Sequence, residues 1–394
     1  MAELSRAAWV EIDLDAIAHN VRMTRDLIGA GVKLFACVKA DAFGLGLVPV
    51  SRMVARAGVD GLTVSDASEA AALRAAGISL PILLYAGVLP EQAAAVAALD
   101  GVIATVHDMH SLAAFAAAGR PVTVFLKIGC RGGRYGFTME TLGAALEAAR
   151  RAPALRVKGL YTNLSSPEDR AFTTAQAEEF KRARAEAVRC GFTDLEMLAA
   201  SSRILLGYPE MRHTAVDPGR LLLGFLAEPW AGMAPMRPAL HAVKSRVAQI
   251  QHYRVGSVVE GVQASGEPLR LEKDLRVAVL PIGYADGFRS NGPFAEVLIC
   301  GHRAPVLGPL GVESMVIDVS AVPQAEVGTE AVLLGQQGSQ RITLSELAAA
   351  LALPMSELFF RLTRNARKVY SGEGGRMASD ESTRSANGLC ASSS

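Results

Sequence analysis

The chain has 394 residues, half of them hydrophobic, and its 40 basic and 39 acidic residues leave a formal net charge of +1. That balance, with no run of basic residues, gives no field for gripping nucleic acid or an anionic membrane. Five scattered cysteines without a CxxC pair, and seven histidines without HxxxH or HExxH spacing, argue against a disulfide framework and a metal centre.

The segment Met1 to Glu11 lacks a basic region followed by an apolar stretch, and no apolar run reaches membrane-spanning length, so a cytoplasmic protein is expected. From residue 12 to about 230 short apolar strands alternate with alanine-rich helical stretches. Asp13 is a plausible cap for a helix over Leu14–Ile28. The predicted strands are Lys33–Lys39, Gly61–Val64, Pro81–Tyr85, Val102–Val106, Val122–Ile128, Val157–Tyr161, Leu195–Ala199 and Thr214–Val216. Between them lie Leu47–Ala57, Ala67–Ala76, Pro90–Ala98, Met109–Ala118, Met139–Ala152 and Thr174–Cys190, mostly helical in pattern. Eight strands with helical connections fit an α/β fold, a parallel (β/α)8 barrel. The competitor is a doubly wound open sheet, but no GxGxxG follows the first strand.

After Pro229 the character changes. Met233-Ala234-Pro235-Met236-Arg237-Pro238 reads as a linker, and residues 236–370 are expected to make a second, mainly β domain. Its predicted strands are Ala242–Tyr253, Arg276–Pro281, Ala295–Cys300, Met315–Val319 and Glu330–Leu334, and Thr343 to Glu346 spell a capping box. Residues 371–394 are rich in Gly, Ser and charge and are expected to be a disordered tail.

Lys39 ends the first apolar strand of the alternating region, with small and turn residues after it. Apolar shielding there favours the neutral amine, which can condense with an aldehyde such as pyridoxal phosphate; the other reading is a lysine that snorkels to solvent. The fifth strand runs into a glycine-rich loop carrying Arg134, whose planar guanidinium suits a carboxylate, unless this is an ordinary basic surface loop. The loops after the last two barrel strands carry Ser201, Gly219 and Arg220. They can cradle a phosphate or serve as plain strand exits. Tyr284, in Gly283-Tyr284-Ala285-Asp286-Gly287, is an acid/base candidate or the flank of a β-turn.

Taken together, Val38–Gly46, Arg134 with its glycines, Val216–Gly224, Gly283–Gly287 and the opening Trp9–Asn20 resemble the signatures of alanine racemases, in the same order from about Ala8 to Tyr370. The resemblance implies fold type III of the pyridoxal 5'-phosphate enzymes, in which residues 1–11 join the β domain, working as a head-to-tail homodimer whose sites are shared between subunits. It implies that Lys39 carries the cofactor and is one base, and that Tyr284, from the partner subunit, is the other. Arg134 would face the substrate carboxylate and cofactor, and Lys127, often carbamylated in the family, would position it. Ser201, with backbone at Gly219 and Arg220, would hold the phosphate.

The chain also departs from the family. Asp217 stands where an arginine usually touches the pyridine nitrogen, and would favour a protonated ring, a stronger electron sink. Asn163 replaces a histidine and offers an amide to orient Asp217. Phe43 replaces a phosphate-binding tyrosine, with Arg364 placed to compensate, and Met197 replaces a histidine that supports the tyrosine base. Gly308 to Glu313 replaces the usual Gly-Arg-Val-Ser-Met-Asp, so Val312 and Glu313 put alanine itself in doubt as substrate. The expected function is an amino acid racemase or epimerase using Lys39 and Tyr284. The alternatives are other chemistry of the same cofactor (retro-aldol cleavage, decarboxylation, transamination) and a non-catalytic cofactor-binding protein.

Overall fold

Eight short apolar strands close on themselves in chain order. The computed structural model describes residues 6–372 except 132, 264 and 290–295, and the chain divides into two compact units. Residues 15–42 and 46–238 form one; the other unites the N-terminal segment through Leu14, Phe43–Leu45 and the chain from Ala239 onward.

β1 (Ala8–Asp13) belongs to the second unit. The barrel of the first consists of β2 (Lys33–Cys37), β3 (Gly61–Val64), β4 (Ile82–Leu84), β5 (Val102–Val106), β6 (Val122–Lys127), β7 (Leu155–Tyr161), β8 (Glu196–Ala200) and β9 (Ala215–Val216). All neighbours are parallel, and pairing of Lys33 with Ala215 closes the ring. The sequence-based expectation of a closed eight-stranded parallel barrel is met.

The barrel is filled rather than hollow. Phe35, Leu83, Ile103, Phe125, Tyr161, Leu198 and Ala215, from seven strands, form one buried cluster. Two glycines make this packing possible. A Cβ on Gly61 would lie 2.4 Å from the Phe35 ring, and one on Gly159 would lie 2.8 Å from Phe125. Small residues opposite large ones are how a tapered barrel reaches interior packing density.

The first barrel strand ends earlier than its apolar run suggests. Val38 still donates to the Thr63 carbonyl, but from Ala40 the chain turns left-handed. Ala40, Asp41, Ala42 and Phe43 have φ of 55, 56, 52 and 59°. Four consecutive non-glycine residues in this region are rare, because each Cβ crowds the following carbonyl. The helix expected at Thr174–Cys190 begins earlier, at Arg170, where the Asp169 carboxylate accepts from the Phe172 N–H (2.9 Å).

The second unit is mainly β. Its strands are β10 (Leu240–Arg246), β11 (Gln249–Tyr253), β12 (Val258–Val259), β13 (Leu269–Arg270), β14 (Leu275–Leu280), β15 (Glu296–Ile299), β16 (His302–Leu307), β17 (Met315–Asp318), β18 (Glu330–Gln337), β19 (Gln340–Ile342) and β20 (Arg367–Ser371). The main sheet runs β11-β14-β17-β16-β15-β18-β10-β1-β20, with β19 on β18; β12 and β13 form a separate ribbon. β1 lies between β10, antiparallel, and β20, parallel. The run expected as one strand at Ala242–Tyr253 is two. At the corner Val247 donates to Thr329 O and Ala248 to Val279 O, which sends β11 to the far edge of the sheet. The Thr343 box is made: its hydroxyl accepts from Glu346 N (3.1 Å) and opens helix Leu344–Ala350. Ser371, expected at the start of the tail, ends β20 opposite Asp13; the remainder of that tail, residues 373–394, lies outside the described residues.

Candidate active site

Within the barrel unit, strand C-termini bring five side chains into one electrostatic group: Lys39, Tyr85, Lys127, Tyr161 and Asp217. The Lys39 ammonium lies 5.5 Å from the centre of the Tyr85 ring, and Lys127 Nζ lies 4.2 Å from the Tyr161 ring. The two tyrosine rings are 5.7 Å apart and tilted. The Tyr85 hydroxyl donates to Asp217 Oδ2.

Burial and neighbouring charges perturb Asp217, Lys127, Tyr85 and Tyr161. Desolvation pushes the Asp217 carboxyl up to about 6, against the pull of the Tyr85 hydrogen bond and of Lys39 and Lys127. Lys127 is 7% exposed, and burial lowers it to about 8, although Asp217 opposes the shift. Arg134 is close enough to Lys127 to help disfavour its charge. The Arg134 side chain itself is exposed in the loop after β6. Burial raises Tyr85 and Tyr161 above the ordinary tyrosine value, so both stay protonated at neutral pH.

The second oxygen of Asp217 takes no side-chain hydrogen bond among the described residues. Asn163, expected to orient Asp217, makes no side-chain hydrogen bond among them either; Tyr85 fills that part. After β8, Ser201 stands just before the short helix Ser202–Gly207 and its hydroxyl is not engaged in a cap. The Ser202 hydroxyl accepts from Gly219 N (3.2 Å) and Leu221 N (3.1 Å). This leaves Arg220 N–H, like that of Leu222, without a partner on that turn among the described residues. Burial lowers the Arg220 guanidinium, with Arg203 adding to the effect.

The second unit holds the other expected residues in two neighbourhoods. In one, Phe43 is buried with its ring 5.3 Å from Phe360, and its carbonyl accepts from Thr363 Oγ1 (3.0 Å). Gly44 lies flush on the end of helix Met355–Arg364, where a Cβ would come within 3.1 Å of Arg364 N. Phe43 and Arg364 therefore share one locality.

In the other, Tyr284 opens a one-turn 3-10 helix, 44% exposed, beside the loop carrying Val312 (53% exposed) and Glu313. Tyr284 N donates to Gly311 O (3.1 Å) and Ala285 N to Val312 O (2.9 Å). Gly283 is required at this contact, because a Cβ there would sit 2.3 Å from Gly311 O. Arg6 ties both loops together through Asp286, at 3.1 Å from NH1 to Oδ2, and Glu313 at 3.6 Å. Sequence reasoning missed Tyr85, Tyr161 and Arg6. Tyr85 was findable, since it ends the predicted strand Pro81–Tyr85 as Lys39 ends Lys33–Lys39.

Among the described residues no cluster of His, Cys, Asp or Glu could hold a metal, and no helix is long and apolar enough to cross a membrane. A closed parallel barrel with a lysine just past its first strand, followed in sequence by a mainly β unit, matches a class of amino acid racemases. The family model "Alanine racemase, N-terminal domain" matches residues 12–227, and "Alanine racemase, C-terminal domain" matches residues 240–370. The chain belongs to the alanine racemase family. It is 32% identical to the alanine racemase of Syntrophobacter fumaroxidans, over 92% of this chain and 97% of that one. With that of Symbiobacterium thermophilum it shares 32% identity over 93% and 98%. Among solved structures it resembles alanine racemase from Bacillus anthracis with bound L-Ala-P: TM-score 0.86, 26% identity, over 95% and 97%. The enzyme from D-cycloserine producing Streptomyces lavendulae gives a TM-score of 0.80 at 28% identity, over 94% and 98%.

Proposed function

We propose that the protein is a cytoplasmic, homodimeric racemase or epimerase, dependent on pyridoxal 5'-phosphate, whose amino acid substrate is not plain alanine. The observation that carries this reading is Asp217. A carboxylate, hydrogen-bonded by Tyr85 and raised to about 6, stands at the barrel mouth with Lys39, at the position where the family pattern has arginine.

The donor set supports the cofactor. Lys39 offers the amine that an aldehyde requires, and the second Asp217 oxygen is an acceptor for a ring N–H. Ser201 Oγ and Arg220 N–H are donors for a phosphate, next to Gly219; the family pattern also assigns Phe43 and Arg364 to the cofactor. When bound, the cofactor supplies an electron sink that acidifies the α-proton of an amino acid joined to it. The chain's own groups do the rest. Lys39 takes or returns the α-proton on one face, and Tyr284 of a second copy does so on the other, because inversion needs a base on each side. Arg134 holds the substrate carboxylate as a planar fork, and Lys127 keeps it in place. Val312 and Glu313, from the second copy together with Tyr284, choose the side chain, and Asn163 lines the cofactor.

Incubating the reconstituted protein with single enantiomers from a broad amino acid panel in heavy water tests the reading. α-Deuterium and inversion are expected, with a substrate other than alanine giving the highest kcat/KM. No exchange on any member of the panel would refute it. Asp217 also favours a second reading, since a protonated ring supports retro-aldol cleavage, decarboxylation or transamination. Carbonyl product or carbon dioxide appearing faster than inversion would select that reading.

A further inference from the structure

Two tyrosines stand side by side at the barrel mouth, and they use their hydroxyls differently. Tyr161 is fully packed, and its oxygen accepts from Ala86 N (3.2 Å) and lies 3.1 Å from Thr105 Oγ1. Thr105 in turn donates to Leu84 O (2.7 Å). Those are bonds to the strand ends themselves, and they tie β4, β5 and β7 together. Tyr85 is only partly buried and gives its hydrogen to a titratable carboxylate, Asp217 Oδ2. No other side chain donates to that carboxylate among the described residues.

The remaining favourable side-chain influences on Asp217 are the charges of Lys39 and Lys127. Neither charge is a fixed neighbour. Lys39 is the amine a carbonyl cofactor would consume, and Lys127 sits near 8 and so is partly neutral in the alkaline range. The Tyr85 bond is the lasting one, since burial keeps that phenol protonated. A hydrogen bond to one carboxylate oxygen also fixes the plane of the group, and so the direction of the other oxygen's lone pairs.

We propose that Tyr85 is a positioning residue acting through Asp217: its hydroxyl holds one carboxylate oxygen, which keeps the group ionised and aims the other oxygen at the ring nitrogen of the cofactor. This rests on the reading of Asp217 as the partner of that nitrogen, and it names the group that makes Asp217 competent. The Tyr85 ring lies 5.5 Å from Lys39 Nζ and 5.7 Å from the Tyr161 ring and packs against the buried barrel cluster, so it is held while its hydroxyl is committed. Tyr85→Phe keeps that packing and removes only the bond.

The test has two arms. In the cofactor-free protein labelled with 13C at aspartate carboxyls, the Asp217 signal is identified by its loss in Asp217→Asn and titrated. Tyr85→Phe should move its midpoint upward, whereas a merely packing role for Tyr85 would leave it in place. In the reconstituted enzyme, Tyr85→Phe should lower kcat about tenfold or more with KM changed far less. In an Asp217→Asn background the same change should cost nothing further, because the group it acts through is gone. An unmoved Asp217 midpoint, or losses that multiply in the double variant, would overturn the proposal. If Asp217→Asn alone leaves both the absorbance of the bound cofactor and kcat unchanged, the reading of Asp217 fails and takes the proposal with it. That failure is distinguishable, because the titration shift in Tyr85→Phe would still be seen.

Discussion

Lys127 shows how a buried charge becomes a property of the whole chain. Its pKa falls from 10.5 to about 8 on folding. Between those values the unfolded chain keeps a proton that the native chain has released, so stability rises with pH across that window. The full shift corresponds to on the order of 3 kcal/mol. Asp217 works with the opposite slope: the native carboxyl keeps its proton up to about 6, the unfolded one loses it near 3.8, and stability falls as pH rises between them. Chemical denaturation of the cofactor-free protein checks the larger effect. Lys127→Met should be more stable than the parent at pH 7.5, with the difference shrinking towards pH 10.5. A difference that stays constant with pH would contradict the assignment to Lys127. The candidates themselves were legible in the sequence wherever a chemically distinctive residue ended a strand, as Lys39 does. Tyr85 was passed over because a tyrosine at a strand end is ordinary until its hydroxyl is seen to meet Asp217, 132 positions away in sequence.

The left-handed turn after Lys39 is where local preference and structure conflict. Each non-glycine residue there costs roughly 1–2 kcal/mol relative to the right-handed form. Longer-range bonds offset this: Asp41 N donates to Glu69 Oε1 (2.8 Å), Leu47 N to Asp41 Oδ1 (2.7 Å) and Ala42 N to Val38 O (2.8 Å). Ala40 is exposed, so Ala40→Gly removes the crowded Cβ and little packing. The variant should be more stable by about 1 kcal/mol, and a denaturation midpoint equal to or below that of the parent would show that the turn carries no such strain. Elements with a clean period were legible: all eight barrel strands and the helix Leu14–Ile28 lie where the pattern put them. The rest was hidden for specific reasons. β16 contains Pro305, β20 carries charge on an exposed face, and the corner at Val247–Ala248 is set by partners near Thr329 and Val279 that no local window contains.

At the scale of the molecule, segments far apart in sequence meet in one sheet, with β1 seated between β10 and β20. Ala8 faces Ser245, and Asp13 faces Ser371. A fragment beginning at Ala239 would carry a sheet with a gap where β1 belongs, exposing unpaired backbone on both neighbouring strands. Such a fragment should aggregate when produced alone and should be rescued by a synthetic peptide spanning residues 6–14. Equal solubility with and without the peptide would show that the sheet does not need β1. The same placement sets an order of events during synthesis. β1 must wait, unpaired, until the codons for Ser245 have been read, and its second neighbour arrives only once those for Arg367 to Ser371 have followed. A ribosomal stall before Ser245 would therefore release a chain in which β1 has no lodging, a ready target for chaperones and proteases.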